Sequence, residues 1–106
     1  MPRKPLGELG RWATPAILIL TSLADGPKHG YAIAQDVEDF AGVTLGPGTL
    51  YGALARLEAS RLIEARAGDQ RRQPYLITDL GRQASGEQLR TMQAVAAAGL
   101  GRLGWA

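Results

Sequence analysis

The chain has 106 residues, 45% of them hydrophobic, and its 12 Lys and Arg against 10 Asp and Glu leave a net charge of +2. That length supports one modest core, and so small a charge excess does not by itself mark a polyanion-binding protein. The absence of cysteine excludes disulfides and thiolate metal sites, and a single histidine leaves too few nitrogen ligands for a transition metal.

Residues 1–12 combine Pro, Gly and charge and predict a loose N-terminal arm ahead of the first helix. Thr14 and Pro15 fit an N-cap and first helical position, and Ile17, Leu20, Leu23 and Ala24 recur at helical spacing until Asp25-Gly26-Pro27 stops the helix. A second helix carries Tyr31, Ile33, Ala34, Val37 and Phe40 as its apolar stripe, with Gln35, Asp36, Glu38 and Asp39 on the wet side. After the turn Gly42-Val43-Thr44-Leu45-Gly46, Pro47 suits the first position of a third helix with Leu50, Leu54, Leu57 and Arg61 on one side, the Arg61 stem lying towards the core. The period then changes. Leu62 to Arg66 and Pro74 to Thr78 read as two short strands around a Gly-containing tip, a wing. Thr78-Asp79 caps a long last helix on which Leu89, Met92, Ala96, Leu100 and Leu103 repeat at three- and four-residue steps.

The fold expected is therefore mostly α with a small two-stranded β-wing: a winged helix-turn-helix domain over residues 13–78, followed by a C-terminal dimerisation helix and tail over residues 79–106. So small a domain cannot bury the whole stripe of its last helix, so a homodimer joined through Leu89, Met92, Ala96, Leu100 and Leu103 is expected. The competing arrangement is a helix that folds back on its own domain or frays beyond Gly99, since Gly86, Gly99, Gly101 and Gly104 each weaken a helix.

A helix with a bare outer face beside a basic hairpin is the shape of a DNA reader. The outer face of the third helix holds Gly48, Gly52, Ala55, Arg56 and Ala59, flanked by Thr49 and Tyr51. Gly48 lets the backbone approach a duplex, Thr49 and Tyr51 are candidates for base or sugar-phosphate contact, and Arg56 for a phosphate. Thr49 has a competing role in first-turn helix chemistry, and Tyr51 as a half-buried core ring. In the wing, Arg66, Arg71 and Arg72 suit the minor groove or a phosphate, or else serve as a solvated, charged hairpin. His29 and Tyr31, opening the second helix, are candidates for a phosphate contact, with a structural turn as the alternative.

These residues also carry a likeness. Asp25-Gly26-Pro27-Lys28-His29-Gly30-Tyr31-Ala32-Ile33, then Gly48-Thr49-Leu50-Tyr51 with Ala53-Leu54 and Arg56-Leu57-Glu58, then Arg71-Arg72 with Pro74-Tyr75-Leu76-Ile77-Thr78 and Gly81 stand in one order. In this the chain resembles the PadR-type winged-helix transcriptional regulators, specifically the short subfamily with a single C-terminal helix, over about residues 14–100. The resemblance implies a cytoplasmic homodimer that binds a double-stranded, near-palindromic operator. It also implies a repressor that lets go when a small hydrophobic effector binds.

No enzyme is expected: HExxH, GxSxG and Walker loops are absent, and the cluster Asp36, Glu38, Asp39 reads as a solvated face. No cofactor or metal is expected. No apolar run approaches the roughly 20 residues that span a bilayer, and Met1-Pro2-Arg3-Lys4 leads into no export signal, so no membrane role is expected. Trp12 near the first helix and Trp105 at the end are candidates for closing an apolar site in the dimer, with burial of an interface ring as the competing job. Two rival functions are a winged helix used for protein contact and a ligand-binding dimer that does not regulate.

Overall fold

A computed structural model describes residues 15–67 and 73–105. Helix α1 (Pro15–Leu23), α2 (Gly30–Ala41) and α3 (Pro47–Ala59) precede strands β1 (Ile63–Ala65) and β2 (Tyr75–Ile77), and α4 (Asp79–Leu103) closes the chain. The expected arm over 1–12, the Thr14 cap, Trp12, and the wing tip with Arg71 and Arg72 lie outside the described residues.

The core forms where the three short helices meet the wing: Ile19, Leu20, Leu23, Ile33, Val37, Leu50, Leu54, Leu57, Ile63 and Ile77 are buried together. Removing such side chains from water is the main force holding so small a domain. The stripes read from periodicity need two adjustments. Ile19 is completely buried beside Leu20 and Leu23, while Ala24 lies beyond the helix and is exposed. On α2 the core takes Ile33 and Val37, but Tyr31 (79%) and Phe40 (48%) are exposed: Tyr31, two residues before Ile33, lies on the opposite side of the helix, and Phe40 is its last residue but one.

Helix ends follow local chemistry. Gly42 ends α2 in the left-handed region at φ 68°, where a glycine carries no Cβ penalty, and its N–H bonds the Glu38 carbonyl. Pro47 starts α3 as expected. At the far end of α3 the Arg61 N–H donates to the Glu58 carbonyl and the Leu62 N–H to the Leu57 carbonyl, a Schellman closure. Arg61 stands in its left-handed position at φ 63° and is exposed, which corrects the expectation that it continues the core side of α3: the helix has ended at Ala59.

The strands pair antiparallel in the register Ile63 with Ile77, Glu64 with Leu76 and Ala65 with Tyr75. They are shorter than the sequence suggested, three residues each, with Leu62 left in the turn. A third piece of chain joins them. Lys28 and Tyr75 exchange two main-chain hydrogen bonds of 3.0 and 2.9 Å, so β2 lies between β1 and the segment before α2.

The α4 helix is fastened to this body by its first two turns. The Thr78 hydroxyl accepts from the Gly81 N–H at 3.0 Å, capping the helix, and the same hydroxyl lies 2.7 Å from the Arg61 carbonyl oxygen, to which it donates. Gly81 has no room for a side chain: a Cβ there would collide with the Leu62 carbonyl oxygen and sit 2.8 Å from Ile77 Cγ1. The Arg82 guanidinium donates to the Ala24 carbonyl at 3.2 Å, at the end of α1. Beyond Gly86 every described residue of α4 is exposed, apart from the half-buried Gly99.

Candidate nucleic-acid interface

Helix α2, the turn after it and helix α3 form a helix-turn-helix, and in neither helix is the N-terminus capped by a side chain. The N-cap of α2 is His29, in an extended conformation and making no side-chain cap bond, and the N-cap of α3 is Gly46, which has no side chain to offer. First-turn N–H groups have no intrahelical acceptor, and each end carries the positive end of a helix dipole; at α2 the first residue, Gly30, is buried under the Tyr51 ring, and at α3 the first, Pro47, has no N–H. In α4, by contrast with these two ends, the Thr78 side chain caps the N-terminus.

Tyr51 connects them. Its ring leaves the start of the second turn of α3 and lies against the first residue of α2, so close that a Cβ on Gly30 would be 2.7 Å from the Tyr51 hydroxyl oxygen. The ring is half exposed, which joins the two roles weighed for it from sequence: one edge packs on Gly30 and the other faces solvent. Tyr75 lies nearby on β2. Burial raises its phenol above the ordinary tyrosine value, and Glu58 and then Tyr51 add to the shift.

The outer face of α3 is as bare as its sequence. Gly48, Thr49, Gly52, Ala55, Arg56 and Ala59 are exposed, and a Cβ on Gly48 or Gly52 would meet nothing within 4 Å. Arg56 projects from this face, and Arg66 stands exposed at the neck of the wing, its N–H held by the Pro74 carbonyl at 2.8 Å. His29 and Tyr31 are exposed at the start of α2. Gly48, Thr49, Tyr51, His29 and Tyr31 thus gather around the two helix N-termini, Arg56 lies a turn further along α3, and Arg66 sits apart at the wing neck.

One part of the sequence reading does not hold. Asp36 does not belong to a solvated acidic face: it is half-buried and accepts a 2.8 Å hydrogen bond from the fully buried Ser22 hydroxyl, tying α2 to α1. A serine on the buried side of α1 needs such a partner, and periodicity alone does not reveal which acid supplies it. Gly30, where the Tyr51 ring packs, was also missed. Its signal in the sequence is a glycine at a first helical position, where a turn is the competing explanation.

Among the described residues no group of three or more His, Asp or Glu could hold a metal ion, and no helix is long and apolar enough to cross a membrane. The dimer candidates on α4 are all accessible: Leu89 and Met92 are each 39% exposed, and Ala96, Leu100 and Leu103 are exposed as well. At the root of that helix, Ala16, Ile17, Leu20, Leu57, Leu62, Ala84, Ser85 and Gln88 line an apolar groove of about 230 Å³.

The pattern over residues 19–87 matches the model of the transcriptional regulator PadR-like family. The chain belongs to that family. Its PadR-like sequence is 40% identical over 86 residues to a transcriptional regulator of Mycobacterium tuberculosis, covering 78% of this chain and 79% of that one. A 37.1 kDa protein in a transposon of Streptomyces fradiae is 51% identical over 67 residues, which make up 63% of this chain and 19% of the transposon protein, so the chain spans about a fifth of that relative. Among solved structures, a PadR family transcriptional regulator from Eggerthella lenta superposes with a TM-score of 0.70 at 31% identity, over 92% of this chain and 87% of its own. The winged-helix fold and the family expected from sequence are both found, and the relatives from Mycobacterium tuberculosis and Eggerthella lenta are transcriptional regulators.

Proposed function

We propose that this chain is a sequence-specific double-stranded DNA-binding regulator that works as a homodimer and represses transcription until a small hydrophobic effector releases it. The observation that carries the reading is the pair of helix N-termini left without side-chain caps, on α2 and α3, beside the exposed α3 face that bears Arg56. Free main-chain donors hold phosphates, and a bare helix face can approach a groove closely. Gly48, Thr49, Tyr51, Arg56, His29 and Tyr31 are the contacts proposed for the helices, and Arg66, Arg71 and Arg72 those for the wing.

The dimer is proposed through α4. Gly81 and Ser85, its buried residues, and Leu89, Met92, Ala96, Leu100 and Leu103 follow one another at three- to four-residue steps, so the face that packs on the domain continues as an apolar face beyond it. A second copy laid against that face would reach the 230 Å³ groove at its root and enclose apolar space between the protomers, where a hydrophobic effector fits. In this reading residues 13–78 form the DNA-binding unit and residues 79–106 the dimerisation unit.

The test is fluorescence anisotropy against the duplex upstream of the chain's own gene and a scrambled duplex of equal length, at low and physiological salt. Binding at least about a hundredfold tighter to the native duplex, with a salt slope reflecting about 6 to 10 neutralised phosphates per dimer, supports the reading. Equal binding to both duplexes removes the specificity, and no binding to either favours a protein-contact role.

A further inference from the structure

Lys28 stands in the short connection between α1 and α2, and its ammonium is engaged within the molecule. It donates to the Ser22 carbonyl in the last turn of α1 and to the Asp25 carboxylate at 2.5 Å, and its side chain is only 20% exposed against 83% for Asp25. A cation on the unpaired carbonyls of a helix C-terminus satisfies both their hydrogen bonding and the negative end of the dipole.

The main chain of the same residue makes the two-bond bridge to Tyr75 on β2. A hairpin of two three-residue strands is marginal alone, so this third contact fixes the wing's approach to the domain. The next two residues, His29 and Gly30, open α2, and Gly30 carries the Tyr51 ring of α3. The connection holds Gly26 at φ 152° and the ring-fixed Pro27, the Gly26 N–H ties it back to the Leu23 carbonyl at 3.2 Å, and the Lys28 side chain adds a clasp onto the end of α1.

We propose that Lys28 is a positioning residue for DNA binding: without touching DNA, it fixes the wing relative to the N-termini of α2 and α3 by locking the α1–α2 connection onto α1. The inference rests on the DNA-binding reading above. Reaching a phosphate would require the ammonium to abandon both the Ser22 carbonyl and Asp25, so positioning and direct contact predict different salt behaviour.

The experiment compares wild type, Lys28→Met and Lys28→Arg in the native-duplex anisotropy assay over a salt series, with amide hydrogen exchange on the free proteins. Lys28→Met is expected to bind about tenfold more weakly, the scale of one charge-assisted hydrogen bond, with an unchanged salt slope. Its Lys28 and Tyr75 amides should exchange about tenfold faster, while the Thr78 amide, held by the Leu62 carbonyl, keeps its protection. Lys28→Arg, which retains a cationic donor, should recover most of the affinity. A salt slope lower by about one with unchanged exchange would make Lys28 a phosphate contact and overturn the proposal, as would unchanged affinity together with unchanged exchange. If wild type itself shows no specific binding, the regulatory reading fails separately, and unchanged exchange in Lys28→Met would still reject the clasp.

Discussion

The Tyr51 ring occupies the place where a side chain on Gly30 would be, with the phenol oxygen and two ring carbons between 2.7 and 3.1 Å from the position of a Cβ. Residues 21 positions apart thereby set how the two helices of the helix-turn-helix meet. Gly30→Ala should push the ring outward and change the surface around both helix N-termini. The methyl can be accommodated by a shift of the exposed ring, so the change in unfolding free energy should stay within about 1 kcal/mol while operator affinity falls severalfold. Chemical denaturation beside anisotropy checks this; a large loss of stability with intact binding would show that the contact serves the fold alone.

Two glycines of α4 should respond oppositely to the same substitution. Gly81→Ala drives a methyl into the Leu62 carbonyl oxygen, backbone that cannot swing aside, and should cost about 2–3 kcal/mol or more. Gly86→Ala enters open space on the same helix and should stabilise by up to about 1 kcal/mol. Thermal melts of the two variants decide it.

Arg61 holds a left-handed conformation in which its Cβ crowds its own carbonyl. Arg61→Gly should raise stability by about 1 kcal/mol by relieving that crowding, without disturbing the Schellman closure, since only main-chain atoms form it. A urea titration that shows no gain would mean that the arginine side chain makes a compensating contact.

Leu89→Glu combined with Met92→Glu places two charges on the apolar face of α4. If that face joins two copies, light scattering should report monomers, because burying an unpaired carboxylate in an interface is strongly unfavourable. The helix itself should persist by circular dichroism, since glutamate is a good helix former.

The Asp25–Lys28 pair makes stability depend on pH in a defined direction. The Lys28 hydrogen bond, and after it the Lys28 charge, hold the Asp25 carboxyl below the ordinary aspartate value of 3.8. A carboxyl lowered in the folded state contributes stability above its unfolded value, and that contribution disappears as pH falls through the folded one. The melting-temperature difference between wild type and Asp25→Asn should therefore be constant above about pH 5 and close below about pH 3. Because Asp25 is exposed, the difference should also shrink at high salt.

Sequence alone located what depends on neighbours along the chain. Pro47 at the start of α3, Thr78 as a cap and the change to two-residue period after Ser60 are short-range signals, and each matches an element of the structure. What it left out depends on helices crossing in space. The Ser22–Asp36 bond joins residues on different helices, and the Gly30–Tyr51 contact exists only once α2 and α3 have met. Arg61 was misplaced because a left-handed closure there gives no compositional sign when the residue is not glycine. Lys28 was passed over because an isolated lysine in a loop reads as solvated unless its acceptors are known.

The junction of α4 with the body leaves no hinge. The Thr78 cap, the seat of Gly81 under the Leu62 carbonyl and the Arg82 bond to Ala24 all lie within its first two turns, and the helix then runs on for a total of about 37 Å. Such an element behaves as a lever with a clamped root. In a pair of copies joined through this helix, a rotation where the two levers touch would be carried to the head at each far end, so the angle of the crossing would set the span between the heads.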